Sequence, residues 1–312
     1  MLNRRHIRIK VMQSFYALLI SKNNSLDKEL KFLYFNIDKM YELYVLQLNL
    51  LIELQKLAKK RLGILKKSRI AKTTNELGYV NFISNKIIET FADSISLEEF
   101  TENKRANHWE NANEYVQIIW DEVLKSEFFN TYASIEKPNF DQDKQFTLNI
   151  YKTIIAPNEK LADYFESENI GWLDDLPFVN TVIVKEISKL SEKKSFTLPE
   201  LYKDEDDRLF VKELFQKIVL THTDHDAIID ELTPNWEYDR IAGMDLILIK
   251  MAITEFLKFP SIPTKVTINE YLELAKDYSS DKSSFFINGV LDKVLKKYNK
   301  EEKITKIGRG LF

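Results

Sequence analysis

The sequence predicts an all-α protein, and three observations lead to that fold class. Glycine and proline each occur only seven times in 312 residues, well below their usual shares of roughly 7% and 5%. Apolar residues recur at steps of three and four, which is the period of one helical face. No alternating apolar and polar run is long enough to require a sheet. Few helix breakers and helical periodicity therefore favour helices throughout.

The first half of the chain favours long helices, because no proline occurs before Pro138. Ser25 is a candidate N-cap, and the apolar pattern that follows reaches about Leu62 and stops near Gly63. The positions on this face are Leu26, Leu30, Leu33, Ile37, Met40, Tyr44, Leu48 and Leu51. The sequence therefore predicts one helix of many turns from residue 25.

Shorter helices follow. Predicted spans are 109–129, 141–156, 204–220, 224–232, 238–259, 267–278 and 283–298. The span 238–259 is apolar on nearly every side, which predicts a central, buried helix. Thr267 and Glu270 have the spacing of a capping box, so we expect the next helix to begin at Thr267. Aromatic residues such as Trp109, Trp120, Phe128 and Phe129 need burial, which predicts that the long middle of the chain is packed.

Composition excludes several classes of protein. The chain has 45 Lys plus Arg, 48 Asp plus Glu, and no cysteine, so disulfide scaffolds and cysteine-based zinc or catalytic sites are excluded. The opening residues lack the apolar core of a signal peptide, and no stretch approaches the roughly 18 uncharged residues of a membrane span. We therefore expect a cytoplasmic protein that makes no use of a membrane.

Catalytic and cofactor motifs are missing as well. The seven glycines never form a phosphate-binding loop, and no nucleophile motif occurs. The best metal candidate is His222 with His225 and the flanking Asp224 and Asp226, but we prefer a solvated turn between helices. The sequence thus predicts no enzyme, no cofactor and no metal site.

A first basic cluster lies near the start of the chain and consists of Arg4, Arg5, His6, Arg8 and Lys10. The same stretch carries Ile7, Val11, Phe15 and Leu18, so the cations belong to a packed helix. Arginine forks grip phosphates and stack on bases, and Tyr16 could add a stacking surface. We favour RNA binding here over a merely solvated helix end.

A second basic cluster consists of Lys56, Lys59, Lys60, Arg61, Lys66, Lys67, Arg69 and Lys72. No Asp or Glu occurs from Leu54 to Asn75. Lysines are common near a helix C-terminus, where the dipole favours them. For this cluster we slightly prefer a solvated helix end over an RNA site.

Five short motifs stand out: RRHIR at 4–8, MQSFY at 12–16, VTINE at 266–270, ELAK at 273–276 and FINGVLDK at 286–293. In order and spacing they resemble the NusB family of transcription antitermination factors. The resemblance covers about residues 4–19 and 204–298. It implies a NusB-like helical bundle of two subdomains, with an enlarged N-terminal and central helical region over 1–203, a C-terminal subdomain over 204–299 and a flexible tail over 300–312.

The resemblance also implies a function. Family members hold the boxA element of nascent ribosomal RNA together with NusE, a small-subunit ribosomal protein, within the RNA polymerase antitermination complex. Arg4, Arg5, Arg8 and Phe286 fall at the family's RNA-binding positions. His6 stands where another arginine is common, and Lys282 where an acidic residue often occurs, yet a cation there should favour phosphate. With Tyr16, these complete the predicted RNA-binding residues. Asp245 and Ile249 fall where the family contacts NusE, and we expect Asp245 to point outward, toward a basic protein surface.

Two other functions remain open at this stage. A helical protein-interaction scaffold without specific RNA binding is the main alternative. Some ribosomal RNA methyltransferases carry a NusB-like module, but their catalytic domain needs a glycine-rich cofactor loop that this chain lacks. The added helices of residues 22–203 could shield RNA, bind RNA through the second basic cluster, or replace a dimer contact.

Overall fold

The structure is a computed structural model that describes residues 1–21, 25–67, 75–234 and 240–311. Within these ranges the regular structure is helical and includes no strand, which confirms the all-α prediction. In chain order the helices are α1 (Arg4–Ser21), α2 (Leu26–Lys67), α3 (Asn75–Ile83), α4 (Lys86–Ala92), α5 (Ile95–Lys104), α6 (Asn113–Lys125), α7 (Glu127–Ala133), α8 (Phe140–Ile150), α9 (Glu159–Glu168), α10 (Gly171–Lys189), α11 (Glu205–Thr221), α12 (Asp226–Leu232), α13 (Gly243–Lys258), α14 (Thr264–Tyr278) and α15 (Ser283–Lys300).

The chain forms two compact units. The first, here called the terminal unit, combines Met1–Ile37 with Leu201–Phe312, and the second, the central unit, is Asp38–Glu200. The predicted division lies between residues 203 and 204. The structure instead joins both ends of the chain in one unit.

α13 is the core helix of the terminal unit. From Ile247 to Phe256 every residue on it is buried, and α1, α11, α14 and α15 all pack against it. The prediction of a central apolar helix is therefore confirmed. Its first turn begins at Gly243, later than the predicted residue 238, and residues 238 and 239 lie outside the described part of the chain.

α14 begins three residues earlier than the predicted capping box. Pro263 occupies the N-cap position with φ −60°, and the helix starts at Thr264. Thr267 is fully buried inside the helix, where its hydroxyl donates to Glu255 Oε1 at 2.7 Å. The capping-box prediction is wrong because the buried carboxylate of Glu255 takes the hydroxyl.

The C-terminal residues pack on the end of α13, which corrects the predicted flexible tail of residues 300–312. Lys306 Nζ donates to the Phe259 carbonyl at 2.9 Å, and the Ile307 amide donates to the Pro260 carbonyl at 3.0 Å. Gly310 is buried and lies so close to Pro260 that an added Cβ would be 2.0 Å from that carbonyl oxygen. These contacts hold the C-terminal segment against the turn that follows α13.

Gly310→Ala should therefore release the tail from α13, because a methyl group has no room beside the Pro260 backbone. Limited trypsin digestion should then cut at Lys303 and Lys306 faster than in the unchanged protein. Gly289→Ala is the control, since nothing lies within 4 Å of a Cβ added at Gly289. Equal cleavage rates for the two variants would contradict the packed tail.

The central unit has an aromatic core. Trp109, Trp120 and Phe129 are each at most 1% exposed, and Trp109 Nε1 donates to the Leu46 carbonyl at 2.8 Å. This burial confirms the prediction that the middle of the chain is packed. α2, which was expected to stop near Gly63, continues as helix to Lys67.

Candidate nucleic-acid interface

The first basic cluster lies on α1, which packs against α11 and α13. Asn3 precedes the helix, and its Oδ1 accepts the backbone N–H of His6 at 3.0 Å. This bond satisfies one amide of the first turn. The same oxygen lies 2.7 Å from His6 Nδ1, so the imidazole is held against the start of the helix.

Arg4 and Arg5 are half-exposed and are each held by a carboxylate. Arg4 Nε donates to Asp207 Oδ1 at 2.9 Å, and its guanidinium lies 5.0 Å from the centre of the Phe210 ring. Arg5 forms a two-pronged pair with Glu270 at 2.9 and 3.0 Å. These hydrogen bonds raise the pKa of Arg5 and lower the pKa of Glu270.

Arg8 is buried, which corrects the prediction that all three arginines project as RNA-binding cations. Its side chain is 2% exposed and donates to both oxygens of Glu255 at 2.7 and 2.8 Å. Thr267 and Tyr271 also donate to Glu255. Arg8 therefore joins α1 to α13 inside the terminal unit and offers no surface to RNA in this conformation.

The exposed aromatic residue on α15 is Phe285. It is 81% exposed, whereas the predicted Phe286 is only half-exposed. The buried positions of α15 include Ser283, Ile287 and Val290. At 100° per residue, Phe285 points away from that buried face and Phe286 lies at its edge. Helical phase could therefore have found Phe285 from the sequence.

A groove of about 600 Å³ lies beside Phe285. Its walls come from the start of α1, from α14 and from α15: Arg5, Asn269, Leu272, Glu273, Lys276, Ser284, Phe285 and Asn288. An aromatic face, two cations and amide side chains are the groups that bind single-stranded nucleic acid by stacking and phosphate contacts. Lys282 is exposed just before α15, and Tyr16, 44% exposed, lies farther along α1 and does not line the groove.

The two residues expected to contact a protein partner are buried. Asp245 is 5% exposed and accepts a hydrogen bond from Ser279 Oγ at 2.5 Å. Ile249 is 0% exposed. The expectation that Asp245 points outward is therefore wrong, because it has an internal partner. Neither side chain can meet a partner unless the packing around α13 changes.

The histidine pair does not form a metal site. His225 is 3% exposed, and its Nε2 lies 2.9 Å from Thr254 Oγ1, while the His222 ring packs 5.3 Å from Phe15. Among the residues that the structure describes, no group of three or more side chains is placed to hold a metal ion. Over the same residues, no helix is both long and apolar enough to cross a membrane.

The chain is similar to known proteins in its C-terminal part. The model of the NusB family matches residues 178–296. The relative in Salinibacter ruber, named transcription antitermination protein NusB, is 41% identical over 112 residues, which are 36% of this chain and 70% of that protein.

Two further relatives carry the same name. The protein of Natranaerobius thermophilus is 48% identical over 75 residues, or 24% of this chain and 54% of its own length. The protein of Chloroherpeton thalassium is 39% identical over 102 residues, which are 33% of this chain and 48% of its own length. No solved structure matches the chain.

Proposed function

Because the chain belongs to the NusB family, we propose that it is a transcription antitermination factor that binds a boxA-type single strand of nascent ribosomal RNA together with NusE. It would act in the cytoplasm, as a non-enzymatic part of the RNA polymerase antitermination complex. The observation that best supports RNA binding is the groove beside Phe285, where an exposed phenylalanine stands next to Arg5 and Lys276.

Phe285 supplies the stacking surface in this proposal. Aromatic side chains bind unpaired bases without a large loss of conformational freedom, and each stacked base is worth about 1–3 kcal/mol. Asn269 and Asn288 line the same groove. Their amides can donate to and accept from base edges, which adds selectivity to the stacking.

Arg5 supplies a fixed cation. A guanidinium carries five N–H donors, and Glu270 accepts from only two of its nitrogens. The Nη1 nitrogen also lies 3.9 Å from Glu273, so a phosphate would share Arg5 with two carboxylates that hold the side chain in place. Lys276 lines the same groove but is paired with Glu273, whereas Lys282 is exposed just before α15 and adds a cation that favours the phosphate backbone.

NusE binding is the second part of the proposal. Asp245 and Ile249 are buried, so the partner must either use other residues of the terminal unit or open the packing around α13. Complex formation between the chain, NusE and a boxA-type RNA can be followed by size-exclusion chromatography.

The decisive variant for RNA binding is Phe285→Ala. We expect about 5- to 150-fold weaker binding to a single-stranded boxA-type RNA, the equivalent of about 1–3 kcal/mol. Fluorescence anisotropy measures the affinity. Phe32→Ala removes another exposed phenylalanine and is the matched control, since Phe32 lies on α2 and does not line the groove. Unchanged binding by Phe285→Ala would reject the groove as the RNA site.

A protein-interaction scaffold is the second candidate, and the carboxylate partners of Arg4, Arg5 and Arg8 favour it. These ion pairs hold the basic residues of α1 against neighbouring helices, which is a structural role that does not need RNA. The anisotropy experiment separates the two functions. A scaffold would bind NusE without measurable affinity for boxA-type RNA.

A further inference from the structure

The last four turns of α2 present a row of lysines, here called the lysine face: Lys56, Lys59, Lys60, Lys66 and Lys67. All five are exposed. At 100° per residue they fall within about a third of the helix circumference, and the row is about 16 Å long at 1.5 Å per residue. This part of α2 belongs to the central unit, which contains neither α1 nor the groove beside Phe285.

The lysine face is poorly neutralised. Lys56 Nζ lies 2.9 Å from Glu53, and Arg61, on the flank of the face, pairs with Asp121. Among the described residues, no carboxylate lies within 4 Å of the ammonium groups of Lys59, Lys60, Lys66 or Lys67. Like charges three and four residues apart destabilise a helix by a few tenths of a kcal/mol per pair, so the fold itself gains nothing from this arrangement.

The helix dipole accounts for only part of the row. Cations are favoured in the last turn of a helix, and the effect falls off beyond that turn. Lys66 and Lys67 are in the last described turn, which ends at Lys67. Lys56, Lys59 and Lys60 are two to three turns earlier and need another explanation.

Gly63 is a second, independent feature of the same face. It lies between Lys60 and Lys66, and nothing is within 4 Å of a Cβ built on it. Packing therefore does not require a glycine, yet glycine costs about 1 kcal/mol relative to alanine inside a helix. A bare backbone in the middle of a cationic row allows close approach of an extended anion.

We propose that the lysine face binds the phosphate backbone of single-stranded RNA, as a second contact surface that lies outside the groove. That the bound polymer is RNA rests on the proposed function, whereas the presence of a cationic binding surface rests on the lysines and Gly63. Phosphates are the repeating anions that match a row of flexible lysines, which act as point charges and carry no base specificity. The central unit would thereby add a second contact to RNA that carries no base specificity.

The first test replaces Lys59, Lys60, Lys66 and Lys67 with glutamine in the full chain. Binding to a fluorescein-labelled oligouridine of about 20 nucleotides is measured by anisotropy at several salt concentrations. If all four lysines contact phosphates, the slope of log affinity against log salt concentration should fall by about 3, at roughly 0.7 per phosphate. The loss of affinity between about 50 and 200 mM salt should then shrink by about 50-fold. Glutamine keeps the helix propensity of lysine.

The control carries the same change of charge elsewhere in the central unit. Lys137, Lys152, Lys160 and Lys193 are exposed and lie off α2, and their replacement by glutamine should leave the slope nearly unchanged. An equal fall in both quadruple variants would mean that net charge alone governs binding. That result would overturn the proposal.

Gly63 offers a pair of variants that cannot fail through unfolding, since both strengthen the helix. Gly63→Glu places a carboxylate in the middle of the lysine face, and Gly63→Gln places a neutral group of the same size there. We expect Gly63→Glu to bind oligouridine at least several-fold more weakly than Gly63→Gln, with both at least as heat-stable as the unchanged chain. Equal affinity would overturn the proposal.

Two arms separate this proposal from its competitors. Phe285→Ala should weaken binding to boxA-type RNA while leaving the contribution of the lysine face to the salt dependence of binding intact. If Phe285→Ala has no effect, the groove is not an RNA site, and the lysine face remains a separate proposal. Vesicles that contain phosphatidylglycerol test the other polyanionic surface. Vesicle binding that depends on the four lysines, with oligouridine binding unchanged by their loss, would overturn an RNA role in favour of a lipid one.

Discussion

Arg8→Ala should lower the free energy of unfolding by about 3–5 kcal/mol, because it leaves the buried carboxylate of Glu255 without its cation. Arg8 is 2% exposed and Glu255 0%, so water cannot replace the lost partner. Chemical denaturation followed by circular dichroism measures the change. RNA binding of the folded fraction should stay close to normal, since the Arg8 guanidinium lies inside the terminal unit.

Arg4→Ala is the matched control for this loss. Arg4 also forms an ion pair from α1, but its side chain is 41% exposed, and exposed pairs contribute about 0–1 kcal/mol. The double variant Arg8→Met, Glu255→Leu removes both buried charges together, and it should recover much of the stability that Arg8→Ala loses. Equal, small losses for Arg4→Ala and Arg8→Ala would show that the Arg8 pair is not buried.

The second large effect is a loss of stability in mild acid. Burial, reinforced by the charge of Lys250, lowers the pKa of His225 from 6.5 to about 4 despite the opposing carboxylates of Asp224 and Asp226. The unfolded chain then binds more protons than the folded one between these two values. Stability should therefore be complete above about pH 6.5 and fall as the pH is lowered to about 4, by about 3 kcal/mol at most.

His225→Gln tests this origin, because glutamine stays neutral and can still bond to Thr254. The melting temperature of this variant should depend less on pH between about 4 and 6.5 than that of the unchanged chain. The pKa of His222 is also lowered by burial and acts in the same direction, so some dependence should remain. His6→Gln, at a half-exposed position, is the control. An identical pH profile for His225→Gln and the unchanged chain would contradict the assignment.

Local patterns predicted the strongly periodic helices, but not α3, α4 and α5 over 75–104, nor the break at Ser126 inside the predicted span 109–129. The periodic faces of α2, α13 and α15 depend on nearby residues, so the sequence alone reveals them. The start of α14 could not be read locally, because Thr267 is engaged by Glu255 from another helix. The extension of α2 past Gly63 gave no helical period, because its only apolar residues, Ile64 and Leu65, are adjacent in sequence and both are exposed.

The burial of the candidate site residues depends on contacts between helices that are far apart in the sequence. Helical phase would have replaced Phe286 by Phe285, but no local pattern distinguishes the buried Arg8 from the half-exposed Arg5. That difference comes from Glu255, which is 247 residues away in the chain. The burial of Asp245 likewise depends on Ser279, which is supplied by the segment after α14.

The pairing of Arg8 with Glu255 also sets the order of events during synthesis. A ribosome that adds about 5–20 residues per second needs about 12–50 s to cover the 247 residues between them. The residues of the central unit are all made within that interval, so its helices can pack together before Glu255 is made. Until α11 is made, the nascent α1 lacks its packing partners, and the Arg8 cation waits longer still, until Glu255 is made. We therefore expect the central unit to fold before the terminal unit, whose last segment is made later.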